Sequence, residues 1–131
     1  MVMVDTSVWI EYFKSRPRID THKLDALILE VQVSTCLPIY AEVLSGQMNA
    51  QTRIIVEEIF KAMNVYNLDW NQMDLWEKLS EMARRAFSNR IPPCGLVDRM
   101  ILGVCKEYDL QLWTIDKKLK TLGEFVDVAC V

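Results

Sequence analysis

The sequence predicts an α/β fold: a mostly parallel, five-stranded sheet with helices on both faces, in a single domain over residues 1–131. Three observations carry this expectation. Short apolar runs rich in β-branched residues alternate with longer segments whose apolar residues recur at three and four, which is the signature of βαβ crossovers. Capping residues stand where each strand gives way to a helix. The composition, 51% hydrophobic and 25% charged over 131 residues with only 4 Gly and 4 Pro, is that of one soluble domain with no linker to divide it.

Met1 to Val4 reads as a buried strand, and Val8, Trp9, Tyr12 and Phe13 then recur at helical spacing, so Asp5 stands where strand becomes helix. Asp20, or Thr21 beside it, caps a helix with the stripe Leu24, Leu27, Ile28 and Val31. Ser34 to Leu37 is a second strand. Pro38 suits the first turn of a helix carrying Ile39, Glu42, Val43 and Leu44, which Gly46 ends. Asn49 caps a long helix through Met63, and Val65 to Leu68 is a third strand. From Asn71, Leu75, Leu79, Met82 and Ala86 run beside Trp76, Ala83 and Phe87, predicting a two-sided, well-buried helix. The Pro92-Pro93 pair marks a loop from Asn89 to Gly95. Val97, Met100, Ile101, Val104, Cys105 and Tyr108 fit a helix on a sheet, with Asp98 in its first turn. Leu110 to Ile115 is a strand ending at Asp116. A brief helix carries Leu119 and Leu122, and Phe125 to Val131 is the fifth strand.

Several classes of function are disfavoured. Asp5 interrupts any apolar leader and no stretch approaches a membrane span, so a cytoplasmic protein is expected. The four cysteines, Cys36, Cys94, Cys105 and Cys130, have no C-x-x-C spacing, and His22 is the only histidine, which argues for buried thiols rather than a zinc set. A net charge of -3 argues weakly against a broad phosphate-binding surface.

Asp5 and Asp116 each end an apolar strand, each precedes a helix, and each has a hydroxyl two residues away, Ser7 and Thr114 respectively. If their strands are neighbours in a sheet that changes winding direction between them, both carboxylates enter one crevice at the carboxyl end. Glu42 opens out at the same end, and the Pro-Pro loop allows Asp98 to reach it. Taken singly, each aspartate also serves as a helix cap or complements the helix dipole, and Glu42 reads as a solvated residue. Together, four acids in apolar surroundings need a counter-charge, because like charges raise one another's pKa. A hard divalent cation, Mg2+ or Mn2+, takes oxygen ligands and bridges to phosphate oxygens, so this donor set points to metal-assisted phosphodiester hydrolysis. Arg84, Arg85, Arg90, Lys117, Lys118 and Lys120 are the cations expected to rim it.

The ordered set VDTSVWIEYF, PIYAEVLSG and LVDRMILGVCKEYDLQLWTID resembles the PIN domain, and most closely the toxin ribonucleases of VapBC toxin–antitoxin pairs, over essentially the whole chain. The family's acids fall on Asp5, Glu42, Asp98 and Asp116, and its hydroxyl positions on Ser7 and Thr114, with Thr6 adjacent. The resemblance implies a three-layer sandwich around a parallel sheet of order 3-2-1-4-5, Mg2+- or Mn2+-dependent endonucleolytic cleavage of RNA, a homodimer, and a cognate antitoxin that blocks the site. Two departures stand out. Lys117, Lys118 and Leu119 occupy positions where many relatives carry a further acid or asparagine, which leaves a second metal's ligands in question, and Arg99 and Leu102-Gly103 replace small residues.

Two other classes compete. A phosphatase or phosphotransferase of the haloacid-dehalogenase type also begins from an aspartate like Asp5, but wants a second acid where Ser7 stands. A catalytically inactive PIN fold kept as an interaction module would be favoured by a missing carboxylate, and all four are present.

Overall fold

The computed structural model describes residues 1–131. In chain order its elements are β1 (Val2–Val4), α1 (Thr6–Tyr12), α2 (Thr21–Leu29), β2 (Val33–Thr35), α3 (Leu37–Ser45), α4 (Ala50–Lys61), β3 (Asn64–Val65), α5 (Met73–Ser88), α6 (Leu96–Tyr108), β4 (Gln111–Trp113) and α7 (Lys117–Phe125). Four of the N-caps are the residues that capping chemistry selects. Asp5, Asp20, Asn49 and Asp116 each accept a hydrogen bond from a first-turn amide through the side chain.

The sheet has four strands in the order β3-β2-β1-β4, every pair parallel. The N-terminal strand is central, and the chain winds outward to one side through β2 and β3 before returning to the other side with β4. The expected five-stranded sheet of order 3-2-1-4-5 is therefore corrected to four strands. The run from Phe125 to Val131 forms only an isolated parallel bridge, Cys130 to Leu112. Its Val126 and Val128 look like a strand in sequence, but they are spent on ending α7. Val126 is the C-cap, Asp127 takes a left-handed φ of 65°, and the Val128 amide donates to Gly123 O at 2.8 Å, closing a Schellman turn.

The core is continuous across the sheet. Met3, Val4 and Leu112 are wholly buried with Val8, Trp9, Leu24, Ile39, Val56, Ile101, Leu102, Leu119 and Leu122 around them. Trp9 organises the α1 side, its ring 5.0 Å from that of Phe60 and stacked on Phe13. On the other side α6 approaches α5 closely at Gly103, where a Cβ would lie 3.0 Å from Leu79 Cδ2 and 3.3 Å from Leu68 Cδ1. A larger residue there would force these leucines apart.

Three further expectations change, and the first is the third strand, which is Asn64–Val65 and not Val65 to Leu68. The second strand stops at Thr35, because Cys36 becomes the N-cap of α3 and Leu37 its first residue. Helix α5 is not buried on two sides: Leu79 and Ala86 are its buried residues, while Met73 and Phe87 are 78% and 86% exposed. No helix is long and apolar enough to cross a membrane. All four cysteines are free, with Cys36 and Cys105 buried and Cys94 and Cys130 half-buried.

Candidate active site

β1 and β4 are adjacent and parallel, with Val4 opposite Trp113, and the ladder continues one step as the Asp5 amide donates to Trp113 O at 2.9 Å. The next residue on each strand then turns inward at the carboxyl end of the sheet. Asp5 is 4% exposed and Thr114 7%. Asp5 Oδ2 accepts from Ser7 Oγ at 2.6 Å and from Thr114 Oγ1 at 2.8 Å, with the Ser7 amide at 3.4 Å. The same hydroxyls accept in turn, Ser7 Oγ from the Ile115 amide at 3.3 Å and Thr114 Oγ1 from the Asp116 amide at 3.0 Å. Each hydroxyl thus spends its one proton on Asp5, and a continuous path of bonds joins Asp5 to the backbone of Asp116. Asp5 Oδ1 accepts no hydrogen bond within the chain.

The other acids surround this pair. Thr6 Oγ1, at the start of α1, donates to Glu42 Oε1 on α3 at 2.7 Å, which brings Glu42 to the mouth of the crevice. Asp116 Oδ1 caps α7 through the amides of Lys118 at 2.9 Å and Leu119 at 3.4 Å, and its Oδ2 is free. Asp98 lies in the first turn of α6, delivered by the Pro-Pro loop. Burial, and after it Asp5, Asp116 and Glu42 in that order, push its carboxyl up to about 6. Asp98 thus lies within the electrostatic field of the other three acids.

None of the four acids is held in an ion pair by the chain. The chain's ion pairs are Glu11 with Lys14 and Arg18, Arg53 with Glu57, and Arg84 with Glu81, so none reaches the four acids. Like charges in a half-buried crevice call for an external counter-ion. The donor set suits a hard cation: oxygens only, with Asp5 Oδ1 and Asp116 Oδ2 unspent. No three acidic, His or Cys side chains close on a single point.

The structure corrects the expected cationic rim in part. Lys117 and Lys118 open α7 beside Asp116, but Arg84 is paired with Glu81 on α5, and Arg85 lies 5.3 Å over the ring of Phe125 at the far end of α7. Two neighbours escaped the sequence reading. Cys94 sits in the loop before α6, where burial, then Asp98 and Asp116, push its thiol up to about 11. Only its place four residues before Asp98 hinted at this. Glu11, on the last turn of α1, is 2% exposed and holds Lys14 and Arg18. A groove of about 470 Å³ leads away from Glu42 and Thr6 between α1, α3 and α6, over Ile10, Ala41, Val97 and Met100. A second hollow, along Met73, Trp76 and Arg84, is lined by α5 alone and contains none of the four acids.

The model of the PIN domain matches residues 2–124. Among curated proteins, the chain is 31% identical over 71 residues to Ribonuclease VapC11 of Mycobacterium tuberculosis and, to the same extent, to a VapC ribonuclease of Mycobacterium bovis. Each match covers 53% of this chain and 53% of the relative, so the chain spans about half the length of the curated relatives it matches. Among solved structures, VapBC-1 from nontypeable Haemophilus influenzae superposes with a TM-score of 0.70 at 20% identity, covering 100% of this chain and 97% of that one. FitAcB from Neisseria gonorrhoeae gives 0.68 at 19%, over 99% and 96% of the two chains. These likenesses establish a shared fold, and with the family match over nearly the whole sequence they show that the chain belongs to the PIN domain family.

Proposed function

We propose that the protein is a metal-dependent endoribonuclease and the toxin of a type II toxin–antitoxin pair, hydrolysing RNA phosphodiester bonds at the crevice between β1, β4, α3 and α6. One observation carries the reading: a buried carboxylate, Asp5, has one oxygen held by two hydroxyls and the other without a hydrogen bond, in a chain where none of Asp5, Glu42, Asp98 and Asp116 is ion-paired and Asp98 feels the field of the other three. The ribonuclease names of the curated relatives support it.

Asp5, Glu42, Asp98 and Asp116 would hold Mg2+, with Mn2+ able to substitute. When bound, the ion supplies Lewis acidity, lowering the pKa of a water and offsetting charge on the leaving oxygen. The chain's own contribution is positioning. Ser7 and Thr114 fix the Asp5 carboxylate in one orientation, Thr6 holds Glu42 toward the crevice, and the α7 cap leaves only Oδ2 of Asp116 to turn inward. Side chains held this way need no reorganisation as charge develops.

A cognate antitoxin is the expected protein partner, in keeping with structural neighbours that are themselves toxin–antitoxin complexes, and the cytoplasm is the expected compartment. A homodimer is expected through α5, whose exposed Met73 and Phe87 mark the two ends of one stripe through Trp76, Ser80 and Arg84. The functional test is incubation of the purified chain with total RNA, with and without Mn2+, beside Asp5→Asn. Mn2+-dependent fragmentation by wild type alone is the expected result, and intact RNA in every lane refutes the reading.

A further inference from the structure

The connection between α1 and α2, with the first turn of α2, reads KSRPRIDTHK. It carries Lys14, Arg16, Arg18 and Lys23 against the single acid Asp20, in a chain whose net charge is -3. A dense cationic run in an acidic protein is a local feature with a local cause. Arg16 is exposed and makes no hydrogen bond or ion pair, so fold stability does not account for it.

The structure pins this segment at both ends to elements that meet the acids. At its start, Glu11 is buried on the last turn of α1. Its Oε1 accepts from the Arg18 amide at 3.0 Å and from Arg18 Nε at 3.3 Å, while Oε2 takes Arg18 NH2 at 3.3 Å and also Lys14 Nζ. The cationic heads remain outside: the side chain of Arg18 is 77% exposed and that of Lys14 49%, against 3% for Glu11. Because Asp5 caps α1 and the helix rises about 1.5 Å per residue, Glu11 stands about 9 Å along the axis from Asp5. At the other end, Lys23 Nζ lies 4.7 Å over the ring of Trp113, the residue before Thr114. The loop is thus a cationic ledge tied at one end to α1, six residues on from Asp5, and at the other to β4, one residue before Thr114. Its buried anchor stays ionised, since Arg18 and then Lys14 hold the Glu11 carboxyl down to about 2.

We propose that this ledge is a docking track for the RNA backbone leaving the crevice, with Arg16 and Arg18 contacting phosphates and Glu11 acting as a positioning residue that holds Arg18 in place. The proposal rests on the reading of the crevice as a ribonuclease site. It also gives the acidic protein a means of holding a polyanion next to its own acids. The Arg16 guanidinium can donate in pairs to phosphate oxygens through its planar fork, and Arg18, whose Nε edge is held by Glu11, offers the outer edge of its own.

The test is binding of a 5′-fluorescein-labelled 16-nucleotide RNA of mixed sequence, followed by anisotropy in EDTA so that no cleavage occurs, over a salt series. Each lost phosphate contact on a single strand lowers the slope of log K against log salt by about 0.7. Arg16→Ala should lower it by that amount, and Arg16→Ala/Arg18→Ala by about twice as much with roughly 5- to 10-fold weaker binding at 0.1 M salt. Arg53→Ala, on the far helix α4, should bind as wild type does. Glu11→Gln separates positioning from bulk charge: it makes the protein more positive, so simple electrostatics predicts tighter binding, whereas loss of the clamp predicts weaker binding at an unchanged circular-dichroism spectrum. Wild-type slopes in the arginine variants, or tighter binding by Glu11→Gln, overturn the proposal and leave the nuclease reading standing if wild type still cleaves RNA with Mn2+. Arginine-dependent binding without cleavage supports the track and refutes the nuclease reading.

Discussion

Asp98 offers a direct measure of the charge conflict in the crevice. Its carboxyl is raised from 3.8 to about 6 by burial and by three neighbouring acids, a shift of about two units or about 3 kcal/mol of cost to the ionised form. Asp98 is only half-buried, so solvent screening reduces that to about 1 to 2 kcal/mol. The sign follows from linkage. A carboxyl whose folded pKa lies above its unfolded value destabilises the fold once it must ionise, so the penalty is absent below about pH 4, grows between pH 4 and 6, and is full above that. Asp98→Asn removes the charge and keeps an acceptor for the helix start. At pH 7.5 in EDTA it should melt about 3 to 10 °C above wild type, since each kcal/mol moves the midpoint of a domain this size by roughly 3 to 5 °C. At pH 4 the two should coincide. Mn2+ at a hundredfold excess over Kd should raise the wild-type midpoint by the equivalent of about 2.7 kcal/mol, and the variant's by much less. Differential scanning fluorimetry across pH measures all three. A variant no more stable than wild type at pH 7.5, or a gain that persists at pH 4, refutes the assignment of Asp98 to a shared acidic site.

Asp5→Asn should reduce Mn2+-dependent RNA cleavage by at least about a hundredfold while leaving the circular-dichroism spectrum intact, as loss of an interaction aimed at the reacting centre typically does. Thr114→Val removes the donor to Asp5 and the acceptor for the Asp116 amide, and should cost about 1 to 3 kcal/mol in urea denaturation. Glu11→Gln should lower the melting midpoint at pH 7, and the gap from wild type should close as pH falls from about 4.5 toward 2, because a depressed carboxyl stabilises only while ionised. Phe87→Lys should shift the gel-filtration mass toward that of the 15.2 kDa chain, and a wild type already at that mass refutes the α5 dimer.

The capping residues were the most legible part of the sequence. Asp5 and Asp116 do cap helices, and the cap reading and the site reading turn out to be compatible: Asp116 spends Oδ1 on amides and keeps Oδ2, so neither role excludes the other. The adjacency of their strands was expected because the two carboxylates had to meet, and the family resemblance implied the same neighbours; β1 and β4 do pair. Glu11 was illegible for the opposite reason. Its partners are three and seven residues on, across a loop, and periodicity along α1 says nothing about a carboxylate buried by the chain folding back on it. The failed fifth strand shows the limit of reading apolar alternation, because Val126 and Val128 suit a strand and a Schellman turn equally until the Asp127 backbone is known. For α5 the periodicity was real, but it could not tell a stripe against α6 from one left to solvent.

The bond from Thr114 to Asp5 also sets a schedule. It joins residues 109 apart in sequence, and β1 acquires β4 as its neighbour only once both have been synthesised. At about 5 to 20 residues per second, a ribosome needs about 5 to 20 s to advance from one to the other. Once past Glu42, the nascent chain holds Asp5, Ser7 and Glu42 but neither Thr114, the second hydroxyl on Asp5, nor Asp116, so the full set of four acids does not exist on a partly made chain. Premature termination before β4 therefore yields a fragment without the site. If the crevice cleaves RNA, the messenger being read is spared by its own product until synthesis is nearly over.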